Sequence, residues 1–121
     1  MIGAVIMETR ELLKKAITFR DERDWKQFHT PKNLLISLGA EMGELMECFQ
    51  WKSDEDIKEK INADSLDAVG DEIADIGIYL LDLCDSLGLD FEEEILKKLG
   101  KNELKYPIDK CYGIAKKYTE L

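Results

Sequence analysis

Residues 31–51 read PKNLLISLGAEMGELMECFQW, and this stretch decides the fold. Its apolar residues recur at the three- and four-residue spacing of one helix face. The pattern predicts an amphipathic helix from Pro31 to about Trp51. Thr30 before Pro31 marks its start, because threonine caps a first helical turn and proline fits the first helical position.

Two glutamates, Glu41 and Glu44, lie in a polar stripe along this helix. Ser37 and Cys48 complete the stripe at positions i, i+4, i+7 and i+11, a spacing that keeps side chains on one helical face. An apolar set lies directly beside it: Leu34, Leu38, Met42, Leu45 and Phe49. The acids therefore border the core face of the helix instead of pointing away from it.

A second long helix, predicted from about Ser65 to Leu87, repeats this arrangement. Glu72 and Asp75 lie in a stripe of the same spacing with Ala68 and Tyr79. Its apolar flank consists of Val69, Ile73, Ile76, Leu80 and Leu83. If the apolar faces of the two helices pack together, their acid stripes converge.

Helices account for the rest of the predicted structure. They are expected at about Glu8 to Trp25, at about 54–62 behind a Ser53 and Asp56 capping pattern, and from Phe91 until Tyr106-Pro107 stops the helix. Gly88 fits the end of the second long helix. No segment alternates with the period of a strand. The sequence predicts an all-α helical bundle, with residues 1–121 forming a single domain.

Composition narrows the partners and the compartment. The net charge of −9 argues against nucleic-acid and membrane partners, whose surfaces are also anionic. The three cysteines are odd in number, show no CxxC spacing and indicate reduced thiols. The apolar opening from Met1 to Met7 is too short for a signal peptide, and no membrane span is predicted. A soluble, cytoplasmic protein is expected.

Converging carboxylates point to a metal ion. Two unit charges about 4 Å apart repel by roughly 4 kcal/mol at an effective dielectric constant near 20. Hard oxygen ligands suit Mg²⁺, with Mn²⁺ as a substitute, rather than Zn²⁺. Such an ion can bridge phosphates and activate a water, which is the chemistry of phosphoanhydride hydrolysis. The predicted metal ligands and catalytic residues are Glu41, Glu44, Glu72 and Asp75.

The acids also allow other interpretations. Acidic residues number 26 of 121, so such spacings also arise on ordinary solvated helix faces. A di-iron carboxylate bundle needs Glu-x-x-His pairs on its helices. The only histidine of the sequence, His29, lies in a connector, and this argues against the di-iron class. A non-catalytic helical oligomerisation or interaction module with a vestigial metal site stays open as the alternative function.

Beyond the two acidic motifs, Glu41-Met42-Gly43-Glu44 and Glu72-Ile73-Ala74-Asp75, further blocks fall in a recognisable order. They are Glu22-Arg23-Asp24-Trp25, Gln27-Phe28-His29, residues 31–35, Gly43-Glu44-Leu45, Phe49-Gln50-Trp51, Ile78-Tyr79-Leu80, Tyr106-Pro107 and Lys117-Tyr118-Thr119-Glu120-Leu121. Over about residues 19–121 the chain resembles the all-α MazG-like nucleotide pyrophosphohydrolases, and within them the dCTP pyrophosphatase branch.

The resemblance implies hydrolysis of a nucleoside triphosphate, dCTP or a related pyrimidine deoxynucleotide, to the monophosphate and pyrophosphate. It implies that the four acids hold Mg²⁺. A single chain of this layout leaves apolar helix surface uncovered, so a homo-oligomer of at least two chains is expected, and the resemblance implies a tetramer. It also implies a set of nucleotide-binding residues: Trp25, His29, Trp51, Tyr79, Lys98 and Asn102. Where the dCTP-specific branch carries a histidine, this chain has Ala16, so the base preference stays open.

Overall fold

A computed structural model describes residues 7–121, and within this range the chain forms helices and turns with no strand. The α-helices of this range are α1 (Thr9–Glu22), α2 (Pro31–Glu47), α3 (Asp54–Asn62), α4 (Asp67–Leu87), α5 (Phe91–Lys105) and α6 (Ile108–Cys111). Short 3₁₀ turns occupy Lys26–Phe28 and Tyr118–Glu120. The predicted all-α class is confirmed. The opening stretch from Met1 to Met7 lies outside the described residues except for Met7.

The chain divides into two compact units. The first is Met1–Gly88, whose described part holds α1 to α4, and the second is Leu89–Leu121, which holds α5 and α6. Within the first unit, α2 packs mainly against α4, and α1 also packs against α4. Large apolar side chains at the centre of this unit, Leu34, Val69 and Leu81, are buried. The predicted pairing of the two acid-bearing helices is confirmed.

Side-chain caps start the helices where the sequence predicts. The hydroxyl oxygen of Thr30 accepts a hydrogen bond from the backbone N–H of Asn33 at 3.2 Å. Ser53 and Asp56 form a reciprocal capping box, with bonds of 3.0 and 3.1 Å that satisfy two N–H groups of α3. These contacts are local in the chain, which is why the sequence alone reveals them.

The first helix ends at Glu22, three residues before its predicted end at Trp25. Asp24 takes a left-handed conformation with φ of 53°, and the N–H of Trp25 donates to the carbonyl of Arg20 at 3.0 Å. A second bond runs from the N–H of Asp24 to the carbonyl of Asp21 at 3.1 Å. This is a Schellman motif, which reverses the chain and satisfies carbonyls at the helix end.

The same motif ends α3 and shifts the start of α4. Asp64 has a φ of 56°, and the N–H of Ser65 donates to the carbonyl of Lys60 at 3.1 Å. Ser65 therefore belongs to the end of α3, and α4 begins at Asp67 instead of Ser65. At its other end α4 stops at Leu87, with Gly88 left-handed at φ of 69°, as predicted.

Helix α2 ends at Glu47, so the prediction that it continues to Trp51 is wrong. Residues 48–51 form turns in which the carbonyl of Met46 accepts from the N–H groups of Phe49 and Gln50, at 3.0 and 2.9 Å. Trp51 itself is left-handed, with φ of 65°. The amino group of Lys52 donates to the carbonyl of Cys48 at 2.6 Å, which satisfies a carbonyl beyond the helix end.

No helix among residues 7–121 is both long and apolar enough to cross a membrane.

Candidate active site

A cluster of carboxylates lies between α2 and α4. Single carboxylate oxygens of Glu41, Glu72 and Asp75 lie within 4.8 Å of one another. Glu72 and Asp75 share a face of α4 because they are three residues apart, and the packing of α2 on α4 adds Glu41. The convergence that the two stripes predict is therefore present for these three acids.

The pKa of Glu72 reflects the crowding of negative charge. Its pKa rises from 4.5 to about 7, because Glu41 shares a side-chain hydrogen bond with the neutral form and because desolvation disfavours the charged form. The charges of Glu44 and Glu41 raise it further. Glu44 lies outside the group of three acids, yet its carboxylate is near enough to Glu72 to raise the pKa of Glu72.

Two oxygens of the cluster have no hydrogen-bond partner among residues 7–121. They are Oε2 of Glu41 and Oε2 of Glu72, and both are buried. Buried acceptors without donors are costly. A small divalent cation would satisfy both atoms and offset the repulsion between the acids, and an all-carboxylate donor set suits a hard cation. The residues present therefore fit a metal ion of the Mg²⁺ type.

A pocket of about 770 Å³ adjoins the cluster and lies between α1, α4 and the segment that follows α1. Asp75 belongs to both the cluster and the pocket wall, and Tyr79 continues the wall one turn further along α4. Most of the wall is apolar or aromatic, including Leu12, Ala16, Phe19, Trp25, Ile78 and Leu81. A concave, mainly apolar pocket with a few polar groups at fixed positions is suited to a small molecule.

The Schellman motif after α1 places the aromatic wall of the pocket. It turns the chain so that Trp25 packs edge-on against Phe19, with ring centroids 5.8 Å apart. The ring of His29 lies 6.5 Å from that of Trp25. Trp25, His29 and Tyr79, three of the predicted nucleotide-binding residues, therefore line one pocket.

A buried polar pair, His29 and Asp82, lies at the end of the pocket away from the acids. Nδ1 of His29 is 3.7 Å from Oδ2 of Asp82, whose residue is only 3% exposed. Burial raises the pKa of Asp82, and the nearby His29 and Arg20 oppose that rise. Arg20 is itself buried and pairs with Asp21 at 2.9 Å and Asp85 at 3.4 Å.

Sequence reasoning missed Asp82, although a signal for it is present. Asp82 follows Tyr79 by three residues and Asp75 by seven, so it extends the stripe on which Glu72 lies. Continuing the same helical spacing one turn beyond Tyr79, a residue already assigned to the pocket, leads directly to this aspartate.

Three predicted substrate residues are not among those that line this pocket. Trp51 is 93% exposed and is not part of the pocket wall. Lys98 and Asn102 lie on α5 in the second unit. Their roles in binding a nucleotide stay predictions.

The chain is similar in sequence and in structure to known proteins. The model of the MazG-like family matches residues 36–121. The chain is 42% identical over 104 residues to dCTP pyrophosphatase 1 of Bos taurus and 40% identical to that of Homo sapiens, covering 85% of this chain. It spans about 62% of the length of these relatives. A solved pyrophosphatase from Archaeoglobus fulgidus is 41% identical with a TM-score of 0.75, covering 88% of this chain and 99% of that one.

Proposed function

Because this chain belongs to the MazG-like family, we propose that it hydrolyses a deoxynucleoside triphosphate, dCTP or a related pyrimidine, to the monophosphate and pyrophosphate. The observation that carries the proposal is the convergence of Glu41, Glu72 and Asp75 at the edge of a pocket large enough for a nucleotide. The relatives named dCTP pyrophosphatase 1 and the archaeal pyrophosphatase support the reaction class.

The acids would hold Mg²⁺, with Mn²⁺ as a substitute. Glu41, Glu72 and Asp75 offer three oxygens at close range, and Glu44 is the fourth acid of the cluster. The bound cation would neutralise the triphosphate and lower the pKa of a water. Binding a cation also requires Glu72 to lose its proton, so metal affinity should rise as the pH passes about 7.

Glu44 and Glu72 are the two candidates for the general base, and we assign this role to Glu44. It lies next to Glu72 but outside the group of three, so its carboxylate stays available for a proton. A water oxygen attacks the α-phosphorus and gives its proton to Glu44. The bond from the α-phosphorus to the bridging oxygen then breaks, and pyrophosphate leaves.

The pocket would receive the nucleoside. Trp25 offers a ring face for stacking on a base, and such stacking is worth roughly 1–3 kcal/mol per base. Tyr79 lies between the acids and the Trp25 and His29 end of the wall, where a sugar would sit. Trp51 keeps its predicted role only if a second copy of the chain brings it to a substrate, since it is exposed and away from this pocket.

A homo-oligomer, at least a dimer and by family resemblance a tetramer, is part of the proposal. One face of α2 exposes a stripe of apolar side chains at positions i, i+7 and i+11, namely Leu35, Met42 and Met46, and Phe49 in the turn after the helix is exposed as well. Exposed apolar stripes of this kind mark protein interfaces. A second copy of the chain would cover it.

The remaining partner and compartment predictions follow from charge and cysteine chemistry. A net charge of −9 is unsuited to nucleic acid or an anionic membrane as a partner. None of the three cysteines, all within the described range, takes part in a disulfide. We propose action in the reducing cytoplasm on free nucleotides.

A product analysis tests the reaction. Each common NTP and dNTP is incubated with the protein and Mg²⁺, and the products are identified by phosphorus NMR. The expected products from dCTP are dCMP and pyrophosphate, whereas dCDP and orthophosphate would contradict the assignment. Glu44→Gln should be inactive, and Glu47→Gln, an exposed acid on the same helix, serves as the matched control. Absence of any hydrolysis would favour the non-catalytic helical module instead.

A further inference from the structure

The pocket is long enough for its two ends to contact different parts of one nucleotide. Asp75, at the carboxylate end, and Asp82, at the other, are seven residues apart on α4. At 1.5 Å per residue this separation is about 10 Å along the helix axis. With the phosphates at the acids, the base would therefore lie beside His29 and Asp82.

The side chains of His29 and Asp82 each carry a buried polar atom that has no hydrogen-bond partner in the part of the chain that the structure describes, Nδ1 of the histidine and Oδ1 of the aspartate. Nδ1 lies 3.7 Å from Oδ2 of the same aspartate, so a small approach would complete a hydrogen bond. Asp82 and His29 both line the pocket, but the Asp82 side chain is only 3% exposed, whereas the His29 side chain is 18% exposed and is the one that a ligand would meet.

We propose that Asp82 is a positioning residue that holds His29 with Nδ1 protonated and Nε2 unprotonated. Nε2 then selects a pyrimidine with an amino group at position 4 over one with a carbonyl oxygen there. This inference rests on the proposed function, since it concerns the base of the proposed substrate.

The chemical reason is the tautomer of the imidazole. A neutral imidazole carries one N–H donor and one acceptor, and the hydrogen bond made by one nitrogen sets the state of the other. A carboxylate only accepts, so Asp82 would keep the proton on Nδ1 and leave Nε2 as the acceptor. The amino group of cytosine can donate to Nε2, whereas the carbonyl oxygen of uracil would face another acceptor.

Among the charged neighbours of Asp82, only His29 depends on it for a partner. The charged groups acting on Asp82 are His29, Arg20 and Asp85. Arg20 already donates to Asp21 at 2.9 Å and to Asp85 at 3.4 Å, so its ion pairs do not depend on Asp82. The histidine is therefore the neighbour whose geometry Asp82 controls.

A first experiment needs no variant, because His29 is the only histidine of the chain. The ¹⁵N and ¹H signals of its imidazole, recorded at pH 8, report the tautomer directly. We expect the Nδ1–H form, and we expect dCMP to shift the Nε2 resonance more than dUMP at equal concentration. An Nε2–H form in the unliganded protein, or equal shifts by both nucleotides, would overturn the inference.

A second experiment measures selectivity. In Asp82→Asn the amide can donate to Nδ1 and place the proton on Nε2, so the ratio of kcat/KM for dCTP over dUTP should fall about tenfold or more. Asp67→Asn, which removes an exposed charge in the first turn of the same helix, should keep the wild-type ratio. In a His29→Gln background, Asp82→Asn should no longer change the ratio.

Equal losses on dCTP and dUTP in Asp82→Asn would mean that the pair serves only the fold, and would overturn the inference. A wild-type protein that hydrolyses no nucleotide would contradict the proposed function instead. In that case the tautomer and the dCMP and dUMP titrations still decide the role of Asp82, because neither requires turnover.

Discussion

The carboxyl group of Glu41 on α2 lies against that of Glu72 on α4, and this contact is the largest cause of the raised pKa of Glu72. The unfolded chain separates the two groups, so the interaction belongs to the folded state alone. Folding therefore creates a site that prefers a proton, or a metal ion, to an unbalanced charge.

Stability without metal should depend on pH in a definite direction. The folded pKa of Glu72, about 7, exceeds its ordinary value of 4.5, so the folded state binds more protons between these values. The contribution of Glu72 to stability is then complete below about 4.5 and is lost as the pH rises through 7. Thermal melts in EDTA from pH 5 to 8 check this, with Glu72→Gln as the variant that should lose this part of the pH dependence. Identical pH profiles for the two proteins would contradict it.

Replacement of Glu44 by glutamine should affect activity and stability in opposite directions. Loss of a residue that only supports a metal ligand typically lowers activity by about 10–100-fold. The loss of activity in Glu44→Gln should be larger, because Glu44 is assigned a direct role in proton transfer. The melting temperature without metal should rise by a few degrees at neutral pH, because one close repulsion is removed. The gain in melting temperature on adding Mg²⁺ should shrink. Differential scanning fluorimetry and a pyrophosphate assay measure both, and a lower melting temperature without metal would contradict the cluster.

Trp25 should account for nucleotide binding that tryptophan fluorescence detects. With Ca²⁺ in place of Mg²⁺, dCTP should quench the wild-type emission saturably, and Trp25→Leu should abolish the quenching. The KM of this variant should rise about tenfold or more, since stacking contributes roughly 1–3 kcal/mol. Trp51→Leu is the second variant: Trp51 lies outside the pocket wall, so a loss of quenching in this variant would indicate that a second copy brings Trp51 to the substrate. Unchanged quenching in Trp25→Leu would argue against a base at this ring.

Assembly should depend on the apolar stripe of α2. Multi-angle light scattering at micromolar concentration should report a dimer or tetramer of the 13.9 kDa chain. Met46→Lys places a charge in the stripe, where Met46 is 61% exposed, and should shift the protein toward monomer. Thr18→Lys adds the same charge at an exposed position of α1 and should leave the mass unchanged. A wild-type mass equal to one chain would contradict the proposed interface.

Asp64→Gly should stabilise the protein. Asp64 is left-handed at the end of α3, a conformation that costs a non-glycine residue up to about 1–2 kcal/mol, less for aspartate than for most. After the larger unfolded-state entropy of glycine is subtracted, a gain of about 0.5 kcal/mol remains. Ala63→Gly, at φ of −82°, should instead lower stability, because glycine has nothing to relieve there. Urea denaturation of both variants gives the comparison.

Patterns within single helices follow from the amino-acid sequence alone. The acid stripe of each helix, the Thr30 and Ser53 caps and the Gly88 end all depend on residues that follow one another at intervals of three or four positions. Helical geometry sets those relationships wherever the helix is placed. For this reason spacing and resemblance are enough to identify the acids of the cluster.

The end of α1, at Glu22 instead of Trp25, and the start of α4, at Asp67 instead of Ser65, escape prediction for a local reason. The turns there use aspartate, at positions 24 and 64, in the left-handed site where glycine is the usual signal. The sequence therefore carries no recognisable stop, and its pattern predicts Trp25 inside a helix instead of in the turn that brings it against Phe19.

The contacts that define the site require tertiary structure. Glu41 meets Glu72, and His29 meets Asp82, only because α2 and the connector before it pack against α4. These partners lie tens of residues apart, and burial decides how strongly each pair interacts, since the same charges in water would be screened. Spacing along one helix is a property of the backbone. The packing of side chains that are distant in the chain decides which helices meet. It also decides how far water is excluded from their contact.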